Sequence, residues 1–416
     1  MILPGVGLTP AEEDNNLHTR YRQSGLRWAA LASVVLLGCS VAVSGAFAAK
    51  RPPSAKASSR LSIICLRQGV PQLVRPDLPP RQLFPPLPDT PVSDFDGAGS
   101  VVVATRAGAL GVAEPGLPAR WIDLREVAGG DFYASLVRLS PAGEDALVAG
   151  YNAGGTPPGF RLLRVDIASS KLSPVSLTPH QSPLLLDDIH YSPDGTPYIL
   201  LRDESLPASK LFALRDGALQ KVWDSTKVLP AQTEPWDPGS ESEYLSLALA
   251  DYFPLAKTLT LVVYVLVQEE ELVQRAEVWL FDPASGGTTR RFALPNPNPE
   301  RYFNTSFAVG GDSLYFVRLG GLGQDESAGE PVISVSLHRL DLSSGAGVEL
   351  MSLSADNAAE SPFYKVLLYP ESAALALVHG EPPGFRAHLL SFTGVELLPA
   401  SGLEMESERL LLTTAW

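Results

Sequence analysis

Val278-Trp279-Leu280-Phe281-Asp282-Pro283-Ala284-Ser285-Gly286 and Leu337-His338-Arg339-Leu340-Asp341-Leu342-Ser343-Ser344-Gly345 share one pattern: an apolar run ending in Asp-x-x-Ser-Gly. The apolar run reads as a strand, and the polar end suits a tight turn in which Asp caps local amides and Gly supplies positive φ. Leu163-Arg164-Val165-Asp166 with Ser169-Ser170 repeats the pattern, and Leu211 to Gly217 and Leu389 to Gly394 are looser copies.

A second element precedes each copy. Ser135 to Gly150 (SLVRLSPAGEDALVAG), Asp188 to Leu201, Ser306 to Arg318 and Tyr364 to His379 each place two apolar, β-branched runs around a turn, which is how a hairpin looks in sequence. Joined, the two elements make a four-stranded antiparallel blade that recurs about every 50 residues. The run Thr258 to Gln268 (TLTLVVYVLVQ) is too short to span a membrane as a helix and fits a buried blade strand. With the Ser192-Pro193-Asp194-Gly195 turn among these hairpins, the chain from Gly97 to Trp416 resembles the TolB- and WD40-like β-propeller repeat family. The resemblance implies fold and no activity. Trp223-Asp224 and Trp236-Asp237 are not in the register of true WD repeats.

The expected fold class is all-β, a propeller of six to seven four-stranded blades over 97–416. Units fall near 97–130, 131–180, 183–230, 243–296, 302–355 and 362–403. A seventh is completed by an N-terminal strand with Arg409 to Ala415, and Leu410 to Ala415 is expected to pair near Ser100 to Ala104, closing the ring and removing exposed edges.

A tail (1–27) and a segment of different character lead into that domain. Trp28 to Ala49 is an uncharged run long enough to cross a bilayer. Three readings compete: an uncleaved transmembrane anchor, a signal peptide cleaved after Ala46-Phe47-Ala48 with Arg20, Arg22 and Arg27 as its basic flank, or a bacterial lipobox at Leu36-Leu37-Gly38-Cys39 that makes Cys39 a lipidation candidate. Basic residues on both sides leave the positive-inside bias undecided; the signal-like features place the propeller on the extracytoplasmic side. Ten prolines between Lys50 and Pro91 mark 50–96 as a Pro-rich spacer unable to form a central strand, with Leu61 to Leu66 as a hexapeptide available to the propeller or the membrane surface.

Charge follows the same division. Met1 to Phe95 holds ten Lys or Arg against six Asp or Glu, and the remainder 22 against 40. An acidic domain argues against nucleic acid, whose binding rests on neutralising phosphates. Cys39 and Cys65 are the two cysteines, so a disulfide scaffold and Cys-based zinc sites are excluded.

No catalytic constellation emerges. Gly-x-Ser-x-Gly is absent, and Gly320-Gly321-Leu322-Gly323 lacks the Lys of a phosphate loop. His180, His190, His338, His379 and His388 show no paired metal spacing, and Asp187-Asp188 point to opposite strand faces. Glu269-Glu270-Glu271 reads as a solvated hairpin tip, and Asn304-Thr305-Ser306 matches a glycosylation acceptor. No catalytic, cofactor-binding or metal residues are assigned. The function expected is a membrane-associated, non-catalytic protein-interaction or scaffold module with a protein partner. The alternatives are a propeller enzyme or carbohydrate/ligand-binding protein with its site at the channel mouth, and a lipid-anchored envelope assembly factor.

Overall fold

The computed structural model describes residues 62–75, 78–85, 91–98, 100–152, 159–176, 184–203, 208–224, 245–255, 257–268, 272–296, 302–324, 331–354, 363–369, 373–381, 384–398, 403–406 and 409–413. The tail 1–27, the segment 28–49 and its Cys39 lie outside them. Among the described residues no helix is long and apolar enough to cross a membrane.

Blade 1 contains β1 (Ser62–Arg67), β2 (Val70–Arg75) and β3 (Leu78–Gln82). Blade 2 is β4 (Pro91–Ala98), β5 (Ser100–Thr105), β6 (Ala109–Ala113) and β7 (Arg120–Asp123). Blade 3 follows as β8 (Phe132–Leu139), β9 (Asp145–Asn152), β10 (Gly159–Asp166) and β11 (Leu172–Pro174), and blade 4 as β12 (Leu184–Tyr191), β13 (Pro197–Asp203), β14 (Ala208–Arg215) and β15 (Ala218–Asp224). Blade 5 is β16 (Leu245–Pro254), β17 (Leu259–Gln268), β18 (Leu272–Asp282) and β19 (Gly287–Ala293). Blade 6 is β20 (Tyr302–Gly310), β21 (Ser313–Gln324), β22 (Pro331–Asp341) and β23 (Gly347–Ser354). Blade 7 is β24 (Phe363–Tyr369), β25 (Ala374–Glu381), β26 (Gly384–Ser391) and β27 (Glu396–Leu398), with β28 (Glu404–Met405) also on β26. The final strand, β29 (Leu410–Thr413), returns to blade 1 and pairs with β1. Seven antiparallel sheets result.

What turns seven sheets into a ring is burial on both faces. Leu261 and Val263 pack on blade 4 with Tyr198, Leu211 and Trp223, while Val262, between them, packs on Phe307 and Phe316 of blade 6. Period-2 alternation therefore sends side chains to two apolar seams, which is why the β17 run reads as continuously hydrophobic. Seven such clusters each join two neighbouring blades, the last two linking blade 1 to blades 7 and 2. First strands meet around the ring, β4 to β8, β12, β16, β20, β24 and β29, and so form its inner wall.

Local chemistry sets the turns as the repeated motif requires. Asp341 Oδ1 accepts from the amides of Ser343 and Ser344 at 2.9 and 2.7 Å and from both hydroxyls, which holds its carboxyl well below the usual range. Gly345 follows at φ +78°, where a side chain would strain the backbone. The Ser192 turn is built similarly: Gly195 N donates to Ser192 O at 2.9 Å and Thr196 N to Asp194 Oδ1 at 3.0 Å.

Two expectations need correction. The stretch 50–96 is not a spacer throughout, since β1, β2 and β3 form most of a blade within it. Pro71 enters β2 near its first position, and Pro79 and Pro80 lie on the exposed outer strand β3 within its register shift, between the pairs Arg75↔Leu78 and Leu73↔Arg81, where the ladder is already interrupted. Cys65 accordingly lies in the core, fully buried in β1, and burial pushes its thiol up to about 11. The second correction concerns β29, which pairs with β1 (Cys65↔Leu410, Ile64↔Leu411) and not near Ser100 to Ala104. β5 already has β4 and β6 on its two edges, whereas β1 has an edge to offer.

Candidate functional site

The strongest concentration of perturbed titratable groups lies on the inner wall, on the first strands of blades 3, 4 and 5. These three first strands and that of blade 6 carry a bulge at the same place: Ala134/Leu136 in β8, Leu186/Asp188 in β12, Leu249/Asp251 in β16 and Thr305/Phe307 in β20. A bulge shifts the ladder and leaves an amide without its partner. In blades 4 and 5 an aspartate supplies it: Ile189 N donates to Asp188 Oδ1 at 2.7 Å and Tyr252 N to Asp251 Oδ1 at 2.8 Å.

From these two aspartates an ionic chain runs across three blades. Arg138 donates from Nη2 to Asp188 Oδ1 at 2.9 Å and from Nε to the Ile189 carbonyl at 3.0 Å. His190 Nε2 stands 3.1 Å from Asp188 Oδ2 and 3.8 Å from Asp251 Oδ1, with its ring edge-on to the buried Tyr252 at 4.8 Å. The side chains of Asp188, His190 and Asp251 keep 31%, 28% and 28% of their surface exposed, so the wall is reachable and still poorly solvated.

Burial works to raise the Asp188 carboxyl, but the charges of His190 and Arg138 outweigh it and hold the group far below the usual range. At Asp251 burial dominates: the more distant His190, the Tyr252 amide and Lys365 oppose it without outweighing it, Asp188 adds repulsion, and the carboxyl rises to about 7. His190 is raised: burial opposes its protonation, and Asp188 and Asp251 more than compensate. The wall therefore holds a carboxyl able to gain or lose a proton near neutrality beside a histidine that favours its charged form, an environment associated with functional sites.

Other residues singled out in the sequence fall apart spatially or find structural roles. Asp187 pairs with Arg202 at 2.8 Å, away from Asp188's partners. His338 is buried against Phe316 and lowered to about 4 by burial and then Arg318. Asn304 is no glycosylation acceptor: it is 3% exposed in β20 and its Oδ1 accepts from Arg318 at 3.1 Å. Gly320 to Gly323 lie within β21, and Trp223 is buried in the seam between blades 4 and 5. His180, Glu269-Glu270-Glu271 and Trp236-Asp237 lie outside the described residues. Conversely, His379 and His388, nine residues apart, are brought together across β25 and β26. Sequence reading also missed Asp251; aligning Leu186-Asp187-Asp188-Ile189-His190 with Leu249-Ala250-Asp251-Tyr252-Phe253 would have paired it with Asp188.

Two grooves open elsewhere, both between blades 4 and 5. One of about 350 Å³ is lined by Lys221, Trp223, Asp224, Trp279, Thr288 and Arg291, and another of about 480 Å³ lies by the turns at Asp194, Lys257 and Asp282. Arg291 covers the Trp279 ring at 4.0 Å, and Lys221 is bonded to Asp224 at 3.0 Å, so the first groove's polar groups are engaged with one another. Among the described residues no group of three His, Cys, Asp or Glu side chains is arranged to hold a metal ion.

Strand pairing and seams define the class: the chain is a seven-bladed β-propeller, with the fold-level resemblance to TolB- and WD40-like propellers upheld. No protein-family model and no curated protein sequence matches it. Similar solved structures include a putative 6-phosphogluconolactonase from Bacteroides fragilis (11% identity, 87% of this chain and 100% of that one, TM-score 0.44). Another is a putative dipeptidyl aminopeptidase IV from Bacteroides ovatus (11%, 81% of this chain and 50% of that one, TM-score 0.45). An oligogalacturonate lyase in complex with manganese is similar at 14% identity over 80% of this chain and 83% of that one (TM-score 0.43). At these identities the likeness concerns fold alone.

Proposed function

We propose that the protein is a non-catalytic interaction propeller that docks a basic protein partner on one face of its ring, held beside an extracytoplasmic membrane surface by 28–49. One observation carries this reading. In antiparallel blades, connections between second and third strands, and between one blade and the next, leave from the same face. The segments joining those strand ends include 204–207, 225–244, 269–271, 325–330 and 355–362, which hold Glu269, Glu270, Glu271, Asp325, Glu326, Glu330 and further acids against Lys227, while the other connections on that face add bases such as Arg106, Arg125 and Arg301 and leave acids in clear excess. Turns leaving the other face are short, and the acids on them are scattered one to a turn. Loops on a rigid scaffold are where recognition residues gather, and one-signed charge selects and steers an oppositely charged partner.

Zero-length carbodiimide cross-linking in native membranes tests it, because the reagent joins carboxylates to lysines in direct contact. The expected result is links from 269–271 and 325–330 to one partner, lost when those acids become Gln and Asn. A chain that stays monomeric, or links only through the opposite face, refutes it. A second reading, a small-ligand site on the inner wall, is favoured by Asp251. A ligand whose stabilisation of the propeller disappears in Asp251→Asn would support it.

A further inference from the structure

His379 of β25 and His388 of β26 sit diagonally across the hairpin, on the side of blade 7 that faces blade 6. Their Nε2 atoms are 3.2 Å apart, with ring centres at 5.2 Å and planes 18° apart. For five-membered rings those distances mean an almost head-on approach, with both Nε2 atoms pointing into one gap. His388 Nδ1 is 3.3 Å from Glu396 Oε1 of β27. A carboxylate only accepts, so Nδ1 carries the proton and Nε2 of His388 presents its lone pair to the gap. On the other side Tyr364 of β24 lies parallel to His379 at 6.0 Å and fixes the ring's plane. The His388 side chain is 12% exposed and Glu396 45%, so the gap has a route to solvent along the outer strand.

We propose that His379 and His388 form a two-histidine chelate for a divalent transition-metal ion, with Glu396 as the residue that orients His388 and water completing the coordination. Two imidazole nitrogens about 2.0–2.1 Å from a tetrahedral zinc ion stand about 3.3 Å apart. The observed separation needs only a small turn of each ring to bend the contact from linear to the metal angle. Imidazole suits zinc, copper and nickel, and a ligating histidine whose other nitrogen donates to a carboxylate is the usual supporting arrangement. In the ion's absence one proton fills the gap as His379 Nε2–H···Nε2 His388; on metal binding that proton is exchanged through solvent to His379 Nδ1, so both rings stay neutral and both Nε2 lone pairs face the ion. Neither residue belongs to the inner-wall network or to the acidic face, so this site stands or falls apart from the proposed function.

The test titrates the purified full chain with Zn²⁺ against a chromophoric chelator and with Cu²⁺ by electron paramagnetic resonance, with circular dichroism confirming each variant's fold. The expected result is one saturable site, two-nitrogen hyperfine structure on copper, loss of that site in His379→Ala and in His388→Ala, and a roughly 10- to 100-fold weaker site in Glu396→Gln. Saturable binding that survives in the folded double variant His379→Ala/His388→Ala overturns the proposal, as does a wild-type chain that leaves the metal on the chelator. Variants that fail to fold are replaced by His379→Gln and His388→Gln, which keep the hydrogen-bonding volume and must also lose the ion.

Discussion

The ring is fastened differently on its two sides. At blade 1 the two ends of the described chain meet: β29 lies on β1, and the contact is apolar, with Ile63, Cys65 and Leu410 packed on blade 7 and Ile64 and Leu73 on blade 2. Across blades 3, 4 and 5 the chain is continuous, and the apolar seams are supplemented by Arg138, Asp188, His190 and Asp251. The first closure must bring together segments separated by almost the whole domain, which makes it entropically expensive and, on topological grounds, late to form. The second joins neighbours and adds charge. Closure therefore rests on burial, and the ionic side brings sensitivity to protons.

Removing β29 should have the largest effect. A chain ending at Glu406 exposes the β1 edge, uncovers Ile63 and Ile64, and loses the bond from the Tyr369 hydroxyl to the Leu410 carbonyl. An open edge strand recruits other chains. The expected outcome is loss of the cooperative melting transition and association in size-exclusion chromatography, with recovery when a peptide of residues 407–416 is added. A truncated chain that melts like the full one would show that the closure is dispensable. Smaller effects separate the two sides. Ile64→Ala, a cavity at the closure, should cost about 2–5 kcal/mol in denaturant unfolding. Arg138→Met, which strips Asp188 of a partner on a partly hydrated wall, should cost about 1–3 kcal/mol. Salt should reduce the second difference and leave the first unchanged; equal salt dependence would erase the distinction drawn between them.

The same contrast explains what could be read in the sequence. Blades 3 to 7 fall within the expected units 131–180, 183–230, 243–296, 302–355 and 362–403, because their signals are local: Asp341 capping the amides of its own turn, or the doubly buried run of β17. Blade 1 is legible only in part: a seventh blade joining an N-terminal strand to Arg409–Ala415 follows from the sequence and is the one β1 and β29 build, but prolines mask β2 and β3, and Leu410 carries no mark that it answers Cys65. Candidate sites were harder still. Asp188 and Asp251 meet one histidine only because equivalent bulges on adjacent blades turn them toward the same seam. His379 and His388 meet through hairpin register, which spacing alone does not disclose.

The smallest predicted effect is the pH dependence of the ionic side. An unfolded aspartate titrates at about 3.9, whereas Asp251 titrates at about 7 in the ring. Between those values the folded chain holds a proton that the unfolded chain has released, so this group's contribution to stability falls as pH rises across the window and then levels. His190, whose pKa is raised, contributes stability that is present below about 6.5 and is lost as pH climbs through its folded value. Asp188 works the other way: its contribution is present above about 3.9 and is lost as pH falls toward its depressed folded value. From pH 5 to 8 the Asp251 and His190 contributions fall together while that of Asp188 is constant. Asp251→Asn should therefore melt close to wild type at pH 5 and above it at pH 8, by about 1 kcal/mol once the wall's access to water is allowed for. Ile64→Ala should track wild type across the same range, because Ile64 packs among apolar side chains and the neighbouring Cys65 thiol, pushed up by burial, stays neutral throughout. Parallel pH profiles for wild type and Asp251→Asn would mean that the Asp251 carboxyl is already ionised at pH 5, and the inner wall would lose its claim to proton sensitivity.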